Sequence, residues 1–241
     1  LEGAAERAVA RVRDSAMLEF AGLHAHIGSQ VFDTSSFAQA MHALAPITNE
    51  SEAEELSIGG GLGVAYVEGE ASDSLTSWGT AVRRAARAAG INARITAEPG
   101  RAIVARAAVT LYTVGTVKHI PGIRTYVAVD GGMSDNPRPV LYGSGYEAFL
   151  PRATTSDRTM QVRIVGKHCE SGDVIVRDAN VPSDLRVGDV VATPVTGAYG
   201  HSMGSNYNKV LRPPVVFVKD SVDRVVVERE TYSDLLRVDV G

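Results

Sequence analysis

The sequence has little cysteine, no long apolar run and no large excess of charge of one sign. Its only cysteine is Cys169, so no internal disulfide can form and a reducing, cytoplasmic location is predicted. No apolar run approaches the roughly 20 residues that a membrane-spanning helix needs. The 24 basic and 28 acidic residues are well mixed, which predicts neither nucleic-acid nor membrane binding. A small molecule is therefore the expected partner.

The size and the start of the chain also limit its organisation. With 241 residues and 44% hydrophobic content, the chain can form one large domain or two smaller ones. It begins at Leu1 without methionine and without a signal-like pattern. We therefore expect this start to be a cut in a longer protein.

The first half alternates predicted helices with short predicted strands. The helices are expected over residues 4–14, 37–44 and 75–89, and the strands that follow them over residues 18–24, 56–58 and 94–97. Such alternation predicts a parallel sheet with crossover helices. Because a closed (β/α)₈ barrel needs eight such units, we predict that residues 1–117 form only the C-terminal part of an α/β TIM barrel.

The second half has a different pattern. Beyond residue 117 the helical period disappears and short β-rich runs take its place, at residues 125–129, 161–165, 174–176, 190–195, 215–218 and 225–227. Glycine and proline cluster between these runs, as turns between strands require. We predict an antiparallel β-barrel or sandwich domain over residues 118–241.

Polar or glycine-rich residues follow each predicted strand of the first half. They are His-Ile-Gly-Ser-Gln at 26–30, Gly-Gly-Gly-Leu-Gly at 59–63 and Glu-Pro-Gly-Arg at 98–101. Active sites of α/β barrels are built at this C-terminal end of the strands. A dinucleotide fingerprint would need glycine in place of Val64, so that reading fails. The glycines either approach a phosphate or only let strand and loop pack, and both interpretations stay open.

The histidine pair at the first strand end and Glu98 at the third each have two possible interpretations. His24 and His26 would point to one face of an extended segment, like the paired metal ligands of amidohydrolase-like barrels. The later strand ends offer glycines and a Glu-Pro-Gly-Arg turn instead of further ligands, so a packed histidine pair is favoured and no metal is expected. Glu98 could form an ion pair with Arg101. It could also face a pyridine nitrogen and keep it protonated.

Three further clusters lie in the second half. They are residues 130–142, His-Cys-Glu-Ser-Gly-Asp at 168–173 and Gly-Ala-Tyr at 197–199. A lone cysteine is commonly a small core residue. The polar loop around Cys169 raises the alternative that it takes part in chemistry.

These six segments, in this order, resemble the motif set of the fold-type-III pyridoxal-phosphate-dependent decarboxylases, whose barrel is of the alanine racemase type. The segments around Arg138, Cys169 and Tyr199 most resemble the members that act on meso-diaminopimelate. The resemblance runs over nearly the whole chain. It implies pyridoxal 5'-phosphate as cofactor, conversion of meso-2,6-diaminopimelate to L-lysine and carbon dioxide, and a homodimer whose active sites are shared across the interface.

The resemblance also implies a role for individual residues. Cofactor contacts are implied for His26, Ser29, Gly61, Glu98, Gly100, Arg101 and Tyr199. Substrate contacts are implied for Arg101, Arg138, Tyr142, Glu170 and Tyr199. His26 would stack on the ring, Glu98 would pair with its nitrogen, and Cys169 would be the proton donor of the neighbouring subunit. Arg138 and Glu170 match a substrate with a carboxylate and an ammonium at its far end, whereas ornithine-type relatives usually have Asp after the cysteine.

The chain departs from the family pattern in two ways, and alternative functions therefore have to be considered. The lysine that bonds the cofactor belongs to an earlier part of the family's barrel, and none of Lys118, Lys167, Lys209 and Lys219 has a matching context. We therefore expect this chain alone to be inactive. The interval from His26 to Gly59 is also short, with the helix expected to give way around residues 46–50. The alternatives are a decarboxylase of ornithine, arginine or carboxynorspermidine and a non-catalytic binding or regulatory relative.

Overall fold

The structure, a computed structural model, describes residues 3–241. The chain forms two compact units. The first contains the residues up to Ala65 together with Gly69–Val104, and the second contains Tyr66–Glu68 and Ala105–Gly241. The division lies at Val104 rather than at the expected residue 117, because the chain from Val109 onwards pairs with strands of the second unit.

The first unit is built around a small parallel sheet. Its strands are β1 (Gly22–His24), β2 (Glu55–Ser57) and β3 (Arg94–Thr96), and its helices are α1 (Ala4–Arg13), α2 (Ser35–Glu50), α3 (Leu75–Ala88) and α4 (Gly100–Val104). The strand order is β1-β2-β3, and both pairs are parallel. The predicted alternation of helices and parallel strands is confirmed, although β1 is shorter than expected.

Helix α3 shows why this unit folds as it does. The Ser74 hydroxyl caps the helix by accepting a hydrogen bond from the Ser77 backbone N–H at 3.0 Å. Trp78, Val82 and Ala86 recur every fourth residue and are buried, because residues four apart share one face of a helix. Each large apolar side chain removed from water stabilises the fold by about 1.5–3 kcal/mol. This buried face forms the core of the first unit together with α2 and β2.

Helix α2 differs from the sequence-based expectation. It was predicted to give way around residues 46–50, but it continues through Pro46 to Glu50. Proline lacks the N–H that would bond one turn back, which normally destabilises a helix interior. Here Ala45 and Thr48 stay buried on either side of it, and the Thr48 hydroxyl donates to the Leu44 carbonyl at 2.7 Å. Tertiary packing therefore holds the helix together past the proline.

The second unit contains a five-stranded sheet and a separate hairpin. The sheet consists of β4 (Val109–Ile120), β5 (Arg124–Val129), β6 (Met160–Val165), β7 (Val174–Val181) and β8 (Val190–Pro194), in the order β7-β6-β5-β4-β8. The hairpin joins β9 (Val215–Lys219) to β10 (Val222–Val227), and three short helices are α5 (Arg138–Tyr142), α6 (Gly200–Met203) and α7 (Tyr232–Leu236). The six predicted β-rich runs all fall on strands.

Two features of this sheet differ from the predicted antiparallel domain. Strand β4 was not anticipated, because its first part was assigned to the α/β half. The β5 and β6 strands pair in parallel, whereas the other three pairs of the sheet are antiparallel. A parallel pair requires a long crossover connection, and residues 130–159 supply it with α5 included. The sheet is therefore mixed.

The core of the second unit takes side chains from all five strands of this sheet. The large aliphatic residues of these strands with less than 2% of their surface exposed are Val114, Val127, Val162, Ile164, Val176, Val181 and Val191. Their alternation with more exposed neighbours is clearest in β5, as expected for strands with one buried face. Within residues 3–241, no helix is long and apolar enough to cross a membrane.

Candidate active site

The loops that follow β1, β2 and β3 lie together at the C-terminal end of the first unit's sheet. The Val31 N–H donates to the Gly61 carbonyl at 2.8 Å, and the Gly63 N–H donates to the Val31 carbonyl at 2.9 Å. The Glu98 N–H donates to the Gly59 carbonyl at 2.7 Å. Backbone hydrogen bonds thus connect all three predicted loops, and the side chains that they carry share one end of the sheet.

The glycines of the second loop allow this close approach. A Cβ at Gly61 would lie under 3.0 Å from the Gly28 carbonyl oxygen, and a Cβ at Gly60 would lie equally close to the Glu98 carbonyl. Gly61 also has a φ of 98°, a conformation that side chains disfavour. Packing between loops therefore accounts for these two glycines. Gly100 is different, because a Cβ there would meet nothing within 4 Å, so its backbone faces open space.

Glu98 is held as an anion by two polar neighbours. The Ser57 hydroxyl donates to its Oε1 at 2.6 Å, and His24 Nε2 lies 3.1 Å from the same oxygen. The hydrogen bond from Ser57, followed by that from His24, lowers the pKa of the Glu98 carboxyl below its ordinary value. Its side chain is 57% exposed. The charged group is therefore fixed in place and accessible.

The sequence did not indicate either partner of Glu98. His24 ends β1 and Ser57 ends β2, and the register of the parallel sheet pairs these two residues directly. Because the ends of parallel strands meet at one edge, a correct register would have predicted the contact. The strand ends alone did not reveal it, since the histidine was considered only as a packed residue or a metal ligand.

His26 has a partner of its own. The Gly60 backbone N–H donates to His26 Nδ1 at 3.1 Å, so in the neutral ring the proton lies on Nε2. His24 and His26 thus contact different groups, Glu98 and the Gly60 backbone N–H. Among residues 3–241, no set of three or more His, Cys, Asp or Glu side chains is placed to hold a metal ion.

Arg101 and Ser29 form a further polar pair among these loops. Arg101 Nη2 donates to the Ser29 hydroxyl at 2.9 Å, and the arginine is buried with 8% of its surface exposed. A guanidinium beside a hydroxyl offers donors suited to phosphate or carboxylate oxygens. Thus His26, Ser29, Glu98 and Arg101 occupy one set of interlinked loops.

The second unit places Arg138 among aromatic rings. Its Nε donates to the Tyr146 hydroxyl at 3.0 Å, and its Nη2 donates to Ser144 at 3.1 Å. The guanidinium carbon lies 4.9 Å from the Tyr66 ring centre, 5.7 Å from that of Tyr142 and 6.0 Å from that of Tyr199. Cation–π contacts of this kind favour a positive charge. The structure thereby brings together three predicted substrate residues: Arg138, Tyr142 and Tyr199.

The charge of Arg138 has no counter-ion in the part of the chain that the structure describes. Only 5% of the residue is exposed, and none of the ion pairs among residues 3–241 includes it. A buried cation without a carboxylate partner is costly. An anionic ligand would supply the missing charge, so Arg138 is a candidate binding group for a carboxylate.

The loop that carries Cys169 and Glu170 is also well defined. Cys169 is a free, exposed cysteine, which excludes the alternative of a buried core thiol. The Tyr207 hydroxyl donates to Glu170 Oε1. Tyr207 lies outside all six predicted segments, and sequence reasoning missed it. Arg138 and Glu170 belong to separate segments of the second unit, each with its own partners.

Tyr199 lies in a loop with unusual backbone conformation. Val195 and Tyr199 have φ values of 62° and 68°, which non-glycine residues rarely adopt and a β-branched residue least of all. Between them, the Gly197 N–H donates to the Ala105 carbonyl at 3.0 Å. Such conformations persist only where the surroundings enforce them, and they cluster at functional sites.

Comparison with known proteins identifies related sequences over the whole chain. Residues 29–197 match the family described as pyridoxal-dependent decarboxylase, C-terminal sheet domain. Diaminopimelate decarboxylase of Actinosynnema pretiosum subsp. auranticum is 47% identical to the chain; the match covers 99% of the chain and 55% of the relative. The Bacillus subtilis enzyme of the same name is 41% identical, with 99% and 56% covered. The chain thus spans about half the length of these relatives.

A solved structure shares the fold as well. The crystal structure of Helicobacter pylori diaminopimelate decarboxylase complexed with L-lysine superposes with a TM-score of 0.86 at 32% identity, covering 96% of the chain and 58% of that structure. The chain therefore shares an α/β fold with part of a known decarboxylase.

Proposed function

Because this chain belongs to the pyridoxal-dependent decarboxylase family, we propose that it carries part of the active site of an enzyme that converts meso-diaminopimelate to L-lysine and carbon dioxide. The relatives named above support this substrate. The observation within the structure that carries the proposal is the buried, uncompensated charge of Arg138, which suits a substrate with a second carboxylate. Ornithine and arginine have no such group.

The residues of the first unit fit pyridoxal phosphate. Glu98 is an accessible carboxylate with a lowered pKa, as a partner of a protonated ring nitrogen should be. His26 has a ring held by the Gly60 N–H and would cover one face of the cofactor. Ser29, beside the Arg101 guanidinium, would contact the phosphate. When bound, the cofactor supplies an electron-withdrawing ring for the electron pair left when carbon dioxide departs.

For Gly61, Gly100 and Tyr199, the family resemblance is the main support for a contact with the cofactor. Gly100 has open space at its Cα, which lets its backbone approach a phosphate. Gly61 is required by loop packing, and we propose that its backbone also faces the phosphate. Tyr199 is assigned to the same group.

The second unit would recognise the substrate's far end. Arg138 binds the distal carboxylate, with Tyr142 and Tyr199 next to its guanidinium. Glu170, a carboxylate in the loop that also carries Cys169, receives the distal ammonium. One cation and one anion together select a diamino dicarboxylate over a simple diamino acid, because a missing carboxylate would leave the buried Arg138 without a counter-ion.

Cys169 would deliver the proton that replaces the lost carboxylate. Its thiol is exposed, as it must be to serve the active site of a second subunit in a homodimer. A positioned proton donor contributes roughly 10²–10⁴-fold to rate. The single cysteine and the predicted cytoplasmic location agree with a thiol that stays reduced.

We also propose that the first unit is part of a (β/α)₈ barrel and that the second is a β-barrel or sandwich with one parallel pair. The parallel order β1-β2-β3 with intervening helices supports the former. A non-catalytic relative would have no need for an anionic Glu98 or an accessible thiol at Cys169, so catalysis is the better explanation of both.

Substrate choice tests the proposal. The native protein, purified at its full natural length with pyridoxal phosphate, should show a kcat/KM for meso-diaminopimelate roughly 10–100-fold above that for L-ornithine, because ornithine keeps the distal ammonium but lacks the carboxylate, whose contact with Arg138 contributes about 1.5–3 kcal/mol. Equal or higher efficiency with L-ornithine or L-arginine would favour the alternative decarboxylases. No turnover of any of the three would favour a binding or regulatory relative.

A further inference from the structure

Tyr207 and Glu170 are joined by a hydrogen bond that no local sequence pattern indicates. The phenol hydroxyl donates to Glu170 Oε1 across 37 positions of the sequence. A hydrogen bond to an ionised acceptor is roughly twice as strong as a neutral one. A carboxylate has about four acceptor sites, so Glu170 keeps its second oxygen available to a ligand.

The Tyr207 ring is itself held in place by His168. The two ring centres are 5.5 Å apart with an angle of 54° between their planes. His168 Nε2 lies 2.9 Å from the Ser134 hydroxyl, and its backbone N–H donates to Asp173 at 2.9 Å. His168 is buried, whereas Tyr207 and Glu170 are exposed. A buried polar support therefore carries an accessible hydroxyl–carboxylate pair.

The turn that presents Tyr207 is also unusually constrained. Asn208 and Lys209 follow it with φ values of 53° and 57°, two consecutive non-glycine residues in the left-handed region. The Asn206 side chain donates to the Val210 carbonyl at 3.0 Å and to Glu230. A turn that costs backbone strain and is closed by side-chain hydrogen bonds fixes the direction of the residue that it carries.

The Tyr207 hydroxyl keeps its proton in this arrangement. The hydrogen bond to Glu170, together with that carboxylate's charge, raises the pKa of Tyr207 above its ordinary value, because a phenolate beside a carboxylate is unfavourable. At neutral pH the tyrosine is therefore a donor, and Glu170 stays the acceptor.

We propose that Tyr207 is a positioning residue, which holds the Glu170 carboxylate in the orientation that receives the distal ammonium of the substrate. This inference rests on the proposed function, since it assigns a second residue to the same recognition site. Tyr207 acts through Glu170 and has no role in proton transfer. Its contribution should appear in substrate affinity and leave the rate of the bound complex nearly unchanged.

The test is Tyr207→Phe in the native full-length protein with pyridoxal phosphate. This substitution keeps the ring against His168 and removes only the hydroxyl. Loss of one charge-assisted hydrogen bond should raise KM for meso-diaminopimelate by about tenfold, with kcat and the melting temperature nearly unchanged. Tyr232→Phe is the matched control, because Tyr232 is 71% exposed at the start of α7, and it should leave KM unchanged.

A double-mutant cycle separates positioning from general structure. Glu170→Gln should raise KM by itself, and adding Tyr207→Phe should raise it little further, because the hydroxyl acts only through that carboxylate. Additive effects, an unchanged KM in Tyr207→Phe, or a KM change that merely follows a loss of melting temperature and kcat would overturn the inference while leaving the proposed function intact. A parent protein that does not turn over meso-diaminopimelate would overturn both.

Discussion

The Asp173 carboxylate accepts the backbone N–H of His168 at 2.9 Å through one oxygen. Its other oxygen accepts the Met133 N–H at 2.7 Å. Asp173 is 3% exposed, and a Cβ at Gly132 or at Gly166 would lie under 3.0 Å from its carboxylate oxygens. One buried carboxylate therefore joins the loop that carries Cys169 to the loop that follows β5, and the two glycines make room for it.

Asp173→Asn should destabilise the protein although the two side chains have the same shape. An amide has only one oxygen, so one of the two backbone donors would face an NH₂ group and remain unsatisfied. We expect a loss of about 1–3 kcal/mol in the free energy of unfolding, measured by urea denaturation. Asp178→Asn is the control, because Asp178 is exposed on the same strand β7, and it should change stability by less than about 0.5 kcal/mol. Equal stabilities of the two variants would contradict this account of the loop.

The contacts of a second carboxylate, that of Asp189, allow a prediction of how the free energy of unfolding depends on pH. Arg152 donates to Asp189 from Nε at 2.8 Å and from Nη2 at 2.7 Å. These hydrogen bonds hold the pKa of the buried Asp189 carboxyl below its usual range. Because the folded pKa is lowered, the stabilisation is fully present above the unfolded value of about 3.9 and is lost as pH falls through the folded value.

Arg152→Met should therefore lower stability at pH 7 by about 1–3 kcal/mol, since it removes two charge-assisted hydrogen bonds from a buried carboxylate that then keeps only its contacts with Arg186. Below about pH 4 the difference between variant and parent should shrink. Chemical denaturation at a series of pH values measures both. Asp184→Asn, which removes only the exposed partner of Arg152, should cost less than about 1 kcal/mol. A variant–parent difference that grows on acidification would show that the sign of the linkage is wrong.

Arg138→Lys tests the proposed distal carboxylate site. Lysine keeps the positive charge but loses the planar fork that binds a carboxylate with two hydrogen bonds. Loss of one charge-assisted contact, about 1.5–3 kcal/mol, should raise KM for meso-diaminopimelate by roughly 10–100-fold. Pyridoxal phosphate binding, followed by its absorbance, should not change. Arg163→Lys, on strand β6, is the control and should not alter KM. Equal KM values in both variants and the parent would show that Arg138 does not bind the distal carboxylate.

Cys169→Ala tests the proposed proton donor. Its kcat should fall by roughly 10²–10⁴-fold with little change in KM, because the thiol acts only after substrate has bound. The adjacent Ser171→Ala is the control, since it alters the same exposed loop without removing a thiol. If Cys169→Ala turned over at the parental rate, another acid would have to supply the proton.

The sequence predicts the fold where local patterns agree with tertiary packing. Trp78, Val82 and Ala86 recur at helical spacing, and α3 buries that face as expected. Strand β4 was missed because its partner β8 lies far along the chain, and pairing with β8 decides where β4 belongs. The helix predicted to give way around Pro46 continues, since burial of its neighbours outweighs the local penalty of proline.

The candidate site was likewise predictable only where a local sequence pattern indicates it. The three loops at the strand ends could be predicted because the C-terminal end of a parallel sheet is a general location for function. The contact of His24 with Glu98 could not, because it depends on the register between strands. Tyr207 had no local signal, since only the folded chain brings its hydroxyl to Glu170.

Release of labelled carbon dioxide would show whether the protein decarboxylates meso-diaminopimelate. The native full-length protein with pyridoxal phosphate should be incubated with meso-diaminopimelate carrying carbon-13 in its carboxyl groups, and the gas and the amino-acid product should be analysed by mass spectrometry. We expect equal amounts of labelled carbon dioxide and of L-lysine that keeps one labelled carboxyl group, and neither product without the cofactor. Unchanged substrate, or carbon dioxide released without lysine, would contradict this expectation.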